Sequence, residues 1–521
     1  MNYNDELTQT NVLHWNYRGF TEFPLNELKG EESEVTDIYL KENLLTRLPS
    51  NISVLEHLES LYVSGNDITE LPREISKLRC LKCLDVSGNR LRRIPDEIGE
   101  ARSLKFLILD ENELTELPLR ISELRRLRGF TEFPLNELKG EESEVTDIYL
   151  KENLLTRLPS NISVLEHLES LYVSGNDITE LPREISKLRC LKCLDVSGNR
   201  LRRIPDEIGE ARSLKFLILD ENELTELPLR ISELRRLRYL SVCDNKLRWL
   251  PQRPVYNYHH CEFRFWRNCN LKTLPYSLWY HMFRDQQTRC LNIGCLDVAT
   301  SNNTNKRRNQ CKLKLTQDSN EIEVTIECPP QHNVILDSKY YSPPSLYEIC
   351  RRQFYQMVTA AVKKLNPQTY SFYSEHVTEN LYNEHNNNNM VDLQENFHGI
   401  NIDVRDDKSD ENGNKYKSVS VKEAVYKKAM KPYYVPADVL RENFDFLPNV
   451  LISDLSSGPV TTCENLNCKK AIFDHVYYEF CFGEIILIDK IEDVLLSAAF
   501  CSKYCADFWK RSKDALPWSL D

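Results

Sequence analysis

The sequence contains no run of 18 apolar residues, the minimum for a membrane-spanning helix. Its opening, MNYNDELTQT, is polar and acidic and lacks the apolar stretch of a secretory leader. Positive charge is in deficit: 67 Lys and Arg stand against 79 Asp and Glu, for a net charge of −12. A pI of about 5.6 argues against nucleic acid as the main partner. No Gly-rich phosphate loop, Ser/His/Asp set or open metal site is visible, and none of the 11 histidines has a legible catalytic neighbour, so the chain does not read as an enzyme. No cysteine precedes Cys80, so a cysteine-rich N-terminal cap of the extracellular kind is missing. Together these features lead us to expect a cytoplasmic location, with the nucleus left open.

What the chain does have is repetition on two scales. Residues 19–128 recur without substitution as 129–238, an offset of 110. Within each copy runs a period of 23: Val35, Ile38, Leu40, Asn43, Leu45, Leu48 and Pro49 return as Leu58, Leu61, Val63, Asn66, Ile68, Leu71 and Pro72, and then twice more, from Leu81 and from Leu104. In LxxLxLxxNxLxxLP the LxL part alternates like a strand, leucines inward. The Asn needs a buried hydrogen-bonding partner, because an unpaired buried amide is costly. The Pro ends the strand region and leads into a short helix or 3₁₀ turn. One such unit cannot bury its leucines alone, whereas a stack can. The pattern is that of a leucine-rich repeat. It predicts an α/β solenoid with a parallel concave sheet. Leu13, Trp15, Phe20, Phe23 and Pro24 read as an N-terminal half-repeat, and Phe263, Phe265, Asn268, Leu271, Leu274 and Pro275 as a C-terminal cap with one extra residue after the Asn.

The two periods are incommensurate. Four units of 23 account for 92 of the 110 residues and leave 18. Pro118 and Pro134 lie 16 apart, and the unit opening at Leu127 lacks its strand half, whereas joining Arg128 to Tyr239 would restore register. The seam therefore predicts an interruption of the solenoid between Leu124 and Val145. The expected divisions are a first solenoid copy at 1–128, a second with its cap at 129–283, a mixed segment at 284–373, a disordered Asn-rich insert at 374–432 and a C-terminal module at 433–521.

Chemistry-bearing residues cluster after the repeats. Cys463-x₄-Cys468 and Cys501-x₃-Cys505 are two thiol pairs flanking the apolar runs HVYYEF and EIILID, with the second pair at the start of a helix. Such spacing suits tetrahedral Zn²⁺ in a treble-clef-like module. Four protein ligands would leave no position for a catalytic water, so the metal would be structural. His475 and Cys481 are possible substitutes, and Cys290, Cys295, Cys311 and Cys328 form a less regular second candidate. Cys80 and Cys83, repeated as Cys190 and Cys193, flank strand leucines and read as packing residues. In SLYEICRRQF, Leu346, Ile349, Cys350 and Phe354 fall on one face of a helix over 345–354. On pattern alone, that face belongs in a core.

In order along the chain, NYRGFTEFPLNELK, the 23-residue units, RNCNLKTLPYSL and the terminal C-x₄-C…CS-x-x-C block resemble the intracellular family of leucine-rich repeat-containing proteins 28 and 58. Ser345, Leu346 and Cys350, with Phe354 where an aliphatic residue is usual, also resemble the elongin-binding helix of a suppressor-of-cytokine-signalling-type box, and Leu447, Pro448 and Leu451 its cullin-binding segment. The resemblance implies a substrate receptor of a cullin–elongin ubiquitin ligase, with Leu346 and Cys350 inserted into elongin C of an elongin B/C pair. The halves lie far apart (447 − 354 = 93), but an insert can loop out at a cost growing only logarithmically with its length. The simpler expectation is an intracellular interaction scaffold that binds a protein partner on the concave face, at the outward positions Tyr39, Tyr62, Asp85, Ile108 and Ser241.

Overall fold

In each full repeat whose strand is described, the LxL segment becomes a three-residue strand whose central leucine or isoleucine is fully buried. The computed structural model of the chain describes residues 11–28, 34–120, 145–284 (without 257 and 259), 287–288, 309–365 (without 318–319), 440–441, 448–487 and 491–520. It divides into two compact units, Met1–Ser345 with Val460–Asp521, and Leu346–Pro459. The chain leaves the first unit after Ser345 and returns to it at Val460. The expected Asn-rich insert at 374–432 lies outside the described residues.

In the first unit, the strands β1 (Val12–His14), β2 (Asp37–Tyr39), β3 (Ser60–Tyr62), β4 (Cys83–Asp85), β5 (Phe106–Ile108), β6 (Asp147–Tyr149), β7 (Ser170–Tyr172), β8 (Cys193–Asp195), β9 (Phe216–Ile218), β10 (Tyr239–Ser241) and β11 (Glu262–Arg264) form one parallel sheet in sequence order. A 3₁₀ turn follows Pro49, Pro72, Pro95, Pro159, Pro182, Pro205 and Pro228. Pro72 holds φ −69° and ψ 146° before Arg73–Lys77, and the turn sends Ile75 into the core. The repeat asparagines form a ladder. Asn66 Oδ1 accepts from Leu45 N at 3.0 Å, while its Nδ2 donates to Leu40 O and Val63 O at 3.0 and 2.9 Å, binding one coil to the last. Asn268 does the same in the last coil, donating to Val242 O and Phe265 O, both at 2.9 Å, despite the extra residue after it.

The sheet does not break at the duplication. β5 pairs with β6 in the regular register, Leu107 opposite Ile148. The ladder crosses with it: Asn153 Oδ1 accepts from Leu114 N at 3.1 Å and its Nδ2 donates to Leu109 O at 3.0 Å. The interruption expected in the solenoid is confined to the chain between Arg120 and Val145, outside the described residues. The reason is that stacking is decided strand against strand. From Leu104 the next strand-bearing unit starts at Val145, 41 residues on instead of 23, and the surplus of 18 falls in the connection.

The rest of this unit closes the end of the stack. β12 (Leu274–Pro275) and α1 (Tyr276–Met282) follow the last repeat, then β13 (Gln287–Thr288), β14 (Gln310–Gln317), β15 (Asn320–Glu327) and β16 (Val334–Leu336). Beyond Val460 come the short pair β17 (Thr461–Thr462) and β18 (Ala471–Ile472), a long hairpin of β19 (His475–Leu487) and β20 (Ile491–Phe500), a helix Lys503–Lys510, and β21 (Trp518–Leu520). The sheet runs β12–β20–β19–β13 with β16 also on β19, so strands from 274 to 336 complete a sheet built on 475–500. Gln252, at the end of the last regular repeat, is buried and fully used: Thr462 N donates to its Oε1 at 2.7 Å, and its Nε2 donates to Thr462 O and Glu464 Oε1 at 2.9 and 2.6 Å. Trp279 Nε1 donates to Glu484 O at 2.9 Å. A repeat array needs such a cover over its last apolar layer.

The second unit contains α2 (Leu346–Leu365) and α3 (Asn449–Ser457). The helix Lys503–Lys510 of the first unit is α4.

Candidate functional site

Three groups of residues stand out. The first is the outward column of the repeat sheet. Because side chains alternate, the third residue of every strand faces the concave side, and strands about 4.8 Å apart bring neighbouring rings into stacking range. His14, Tyr39 and Tyr62 stack with centroids 4.9 and 4.7 Å apart, and Lys41 Nζ lies 5.1 Å over Tyr62. The second copy repeats this with Tyr149 on Tyr172 at 4.9 Å and Lys151 over Tyr172 at 5.0 Å. Tyr39, Tyr62 and Ile108 are half-buried, as a contact surface requires. Asp85 and Ser241 lie in the same column but are buried and internally satisfied. Asp85 pairs with Lys41 at 3.1 Å and accepts from Ser87 Oγ at 2.6 Å, and Ser241 Oγ donates to Asp220 at 2.6 Å. These two are therefore braces of the surface rather than open contacts. His14 extends the column beyond the residues expected from sequence, because the first half-repeat reads as a cap. Burial pushes the carboxyl of Asp110 up to about 6, against the hydrogen bond it accepts from Lys151 N at 2.6 Å.

The second group is the four thiols. The turn after β17 supplies Cys463 and Cys468, the end of β20 supplies Cys501, and the first turn of α4 supplies Cys505. Ser502 caps that helix, accepting from Cys505 N at 3.3 Å. All four sulfurs lie within 4.8 Å of one another, with Cys468–Cys501 at 3.4 Å and Cys501–Cys505 at 3.8 Å. Four thiolates at about 2.3 Å from a tetrahedral ion sit about 3.8 Å apart, so the cluster has the dimensions to hold a metal. Hydrogen bonds from Cys463 hold Cys468 and Cys505 below the usual thiol range, and the Cys463 thiol is pushed up in return. His475 and Cys481 are buried but do not join the cluster. Of the second candidate set, Cys311 and Cys328 meet at 3.7 Å, while Cys290 and Cys295 lie outside the described residues. Cys80, Cys83, Cys190 and Cys193 are free thiols at the edges of strands.

The third group is α2, where the burial is the reverse of a core helix. Leu346, Ile349 and Met357 are 76%, 47% and 58% exposed, and Cys350 is exposed between them, with Phe354 half-buried on the same side. The opposite face buries Glu348 completely, together with Arg352, Tyr355 and Val358. Glu348 is neutralised by Arg351 at 2.9 Å and Arg352 at 2.6 Å. Tyr347 Oη donates to Asp454 of α3 at 2.6 Å, and Arg351 reaches the same carboxylate at 3.4 Å. α2 and α3, far apart in sequence, are therefore in contact within this unit. Pro448 is exposed at the start of α3; Leu447 lies outside the described residues.

Residues 33–91, 56–114 and 143–201 match the family model described as leucine rich repeat, so residues 33–114 and 143–201 are leucine-rich repeats. Such repeats generally mediate protein–protein interactions. Among curated proteins none matches the chain. Solved structures similar to it include a Leptospira interrogans LRR protein, 25% identical, with 53% of this chain and 76% of that one covered and a TM-score of 0.40. An internalin from Listeria monocytogenes is 18% identical, covering 48% and 63% with a TM-score of 0.36. The FLRT2 repeats in an octameric complex of Latrophilin 3, Unc5D and FLRT2 are 23% identical, covering 54% and 83% with a TM-score of 0.36. Among the described residues no helix is long and apolar enough to cross a membrane.

Proposed function

We propose that the protein is a non-enzymatic adaptor that binds a protein partner on the concave face of its repeat sheet. The observation that carries this reading is the stacked column His14–Tyr39–Tyr62 with Lys41 over it, an aromatic surface held rigid before any partner arrives. Aromatic anchors that lose little entropy on binding dominate interface energetics. The test is affinity capture with the whole chain and with a Tyr39→Ala/Tyr62→Ala variant. A genuine partner is enriched by the wild type and weakened by at least about 2 kcal/mol in the variant. If every captured protein is retained equally, the reading fails.

A second reading, that the adaptor is a substrate receptor of a cullin–elongin ligase, is favoured by α2. A helix that exposes Leu346, Ile349, Cys350 and Met357 while burying a Glu–Arg pair is shaped to lay an apolar stripe into a groove. The contacts of Tyr347 and Arg351 with Asp454 support treating Ser345–Phe354 and Leu447–Leu451 as halves of one box, whose docking residues would be Leu346, Cys350, Phe354, Leu447 and Pro448. Purified elongin B/C should bind the wild type and lose a Leu346→Asp/Cys350→Asp variant. Equal binding to both, or to neither, removes this reading and leaves the adaptor. The four cysteines would hold a structural Zn²⁺, tying the turn after β17 to the start of α4. On this view the chain belongs with the leucine-rich repeat-containing 28 and 58 proteins and works in the cytoplasm.

A further inference from the structure

The terminal module buries most of its aromatic residues. Phe480 and Phe500 are fully buried, and Trp509 and Trp518 nearly so. Phe482, Ile486 and Ile491 on the long hairpin and Leu520 on β21 are exposed singly along their strands, while three further large apolar side chains are exposed beside the thiols, on the turn after β17 and on α4. Leu466, at the tip of the turn between Cys463 and Cys468, is 78% exposed; Tyr504, between Cys501 and Cys505, is 75% exposed; and Phe508, one helical turn further along α4, is 45% exposed. Leu466 lies two residues from Cys468 and Tyr504 next to Cys505, and the sulfurs of those cysteines are within 4.8 Å, which brings the turn after β17 against the first turn of α4. Tyr504 and Phe508 share a face at i, i+4.

Their exposure is built in. Cys468 N donates to Asn465 O at 2.9 Å and Asn467 N to Asn465 Oδ1 at 3.0 Å, which fixes Leu466 at the point of a closed turn. Clustered exposed apolar groups on rigid elements mark interaction sites. The rim supplies the charge. Lys469 and Lys470 are exposed and Lys503 half-exposed, none forms an ion pair among those found in the described residues, and the one acid on α4 is Asp507.

We infer that Leu466, Tyr504 and Phe508, rimmed by Lys469, Lys470 and Lys503, form a docking surface for a protein segment with an apolar anchor flanked by acidic residues. An apolar centre supplies affinity, and a basic rim selects for acidic flanks and speeds encounter. This surface is distinct from the concave face and from α2, so it stands whichever reading of those holds.

The test uses the full-length chain and two pools of short fluorescent peptides with randomised apolar centres, one flanked by Asp and Glu and the other by Lys and Arg. Anisotropy should show binding of the acidic pool, weakening with added salt, and little binding of the basic pool. Leu466→Asp/Tyr504→Asp should lower affinity about tenfold or more, the loss of one anchor residue. Lys469→Glu/Lys470→Glu, which touches no apolar residue, should reverse the preference between pools at unchanged metal content and circular dichroism, and this variant carries the test if the first disturbs the fold. Absence of binding to the acidic pool, equal binding of both pools, or indifference to Lys469→Glu/Lys470→Glu overturns the inference. Displacement of the peptide by a single-stranded RNA oligonucleotide at lower concentration also overturns it, reassigning the surface to nucleic acid.

Discussion

Asn153 is the residue on which continuity of the sheet across the duplication rests. It is buried, its Oδ1 accepts from Leu114 N at 3.1 Å, and its Nδ2 donates to Leu109 O, Leu150 O and Lys151 O at 3.0, 3.2 and 3.0 Å. Asn153→Ala removes all four bonds and leaves the buried Leu114 amide without its acceptor, whereas Leu109 O keeps Asn112 Nδ2 at 3.1 Å and Leu150 O keeps Asn176 Nδ2 at 2.9 Å. One such orphan costs about 1–3 kcal/mol. In a linear array the loss falls on the coils in contact rather than on the whole chain. The assay is therefore amide hydrogen exchange, with Asn66→Ala, the same ladder chemistry inside the first copy, as the internal standard. At 1.4 kcal/mol per tenfold, exchange of the Leu114 amide should accelerate by roughly 5- to 100-fold in Asn153→Ala. The Leu45 amide, which donates to Asn66 Oδ1 at 3.0 Å, should respond alike to Asn66→Ala. If the copies were separate arrays meeting at a break, Asn153 would sit at a frayed end. The Leu114 amide would then exchange quickly in the wild type, and Asn153→Ala would change nothing there. That result would refute the argument that strand pairing, not loop phase, governs stacking.

Asp110, which also bridges the copies, gives a pH test. Its carboxyl is raised by burial from 3.8 to about 6, so between these values the folded state binds the extra proton. Stability must then fall as pH rises from about 4 to about 6, by on the order of 2–3 kcal/mol, and stay low above that. Asp110→Asn keeps an acceptor for Lys151 N and should abolish this dependence, so its thermal midpoint at pH 7 should exceed that of the wild type while the two converge near pH 4. For the thiol cluster, mass spectrometry under native conditions should find one Zn²⁺ per chain, lost in Cys501→Ser, and a metal-free wild type would dispose of the zinc assignment.

The parts legible in the sequence were those set by short-range pattern. The strand alternation, the asparagine at fixed phase and the proline after it dictate the coil, because each acts within its own repeat or on the next one. The four cysteines were legible because ligand spacing is local on each side of the hairpin. The seam misled because its irregularity is real in the chain but not in the sheet: β6 finds β5 whatever the length of the connection between them. The face of α2 misled for a different reason. A helix with Leu346, Ile349, Cys350 and Phe354 on one side suggests that side faces a core, and a Glu–Arg pair four apart suggests the surface. The reverse holds, since two arginines and the fully buried Glu348 neutralise one another inside. Beyond the repeats the runs HVYYEF, EIILID and IEVTI read as strands, but the first two join in the single strand β19, and the pairings that draw strands from 274 to 500 into the terminal sheet are too distant for a single sequence to report.

That terminal sheet has a bearing on genetics. Leu274 and Pro275 lie against Leu496 and Ser497, and Gln252 is satisfied by Thr462 and Glu464, so the last coil depends on residues some two hundred positions downstream. A premature stop codon anywhere between 284 and 460 would therefore not yield a trimmed but working repeat domain. It would uncover the apolar layer around Phe265, Leu271 and Leu274, and such an allele should behave as a null by turnover of the whole chain, even though every repeat is still encoded.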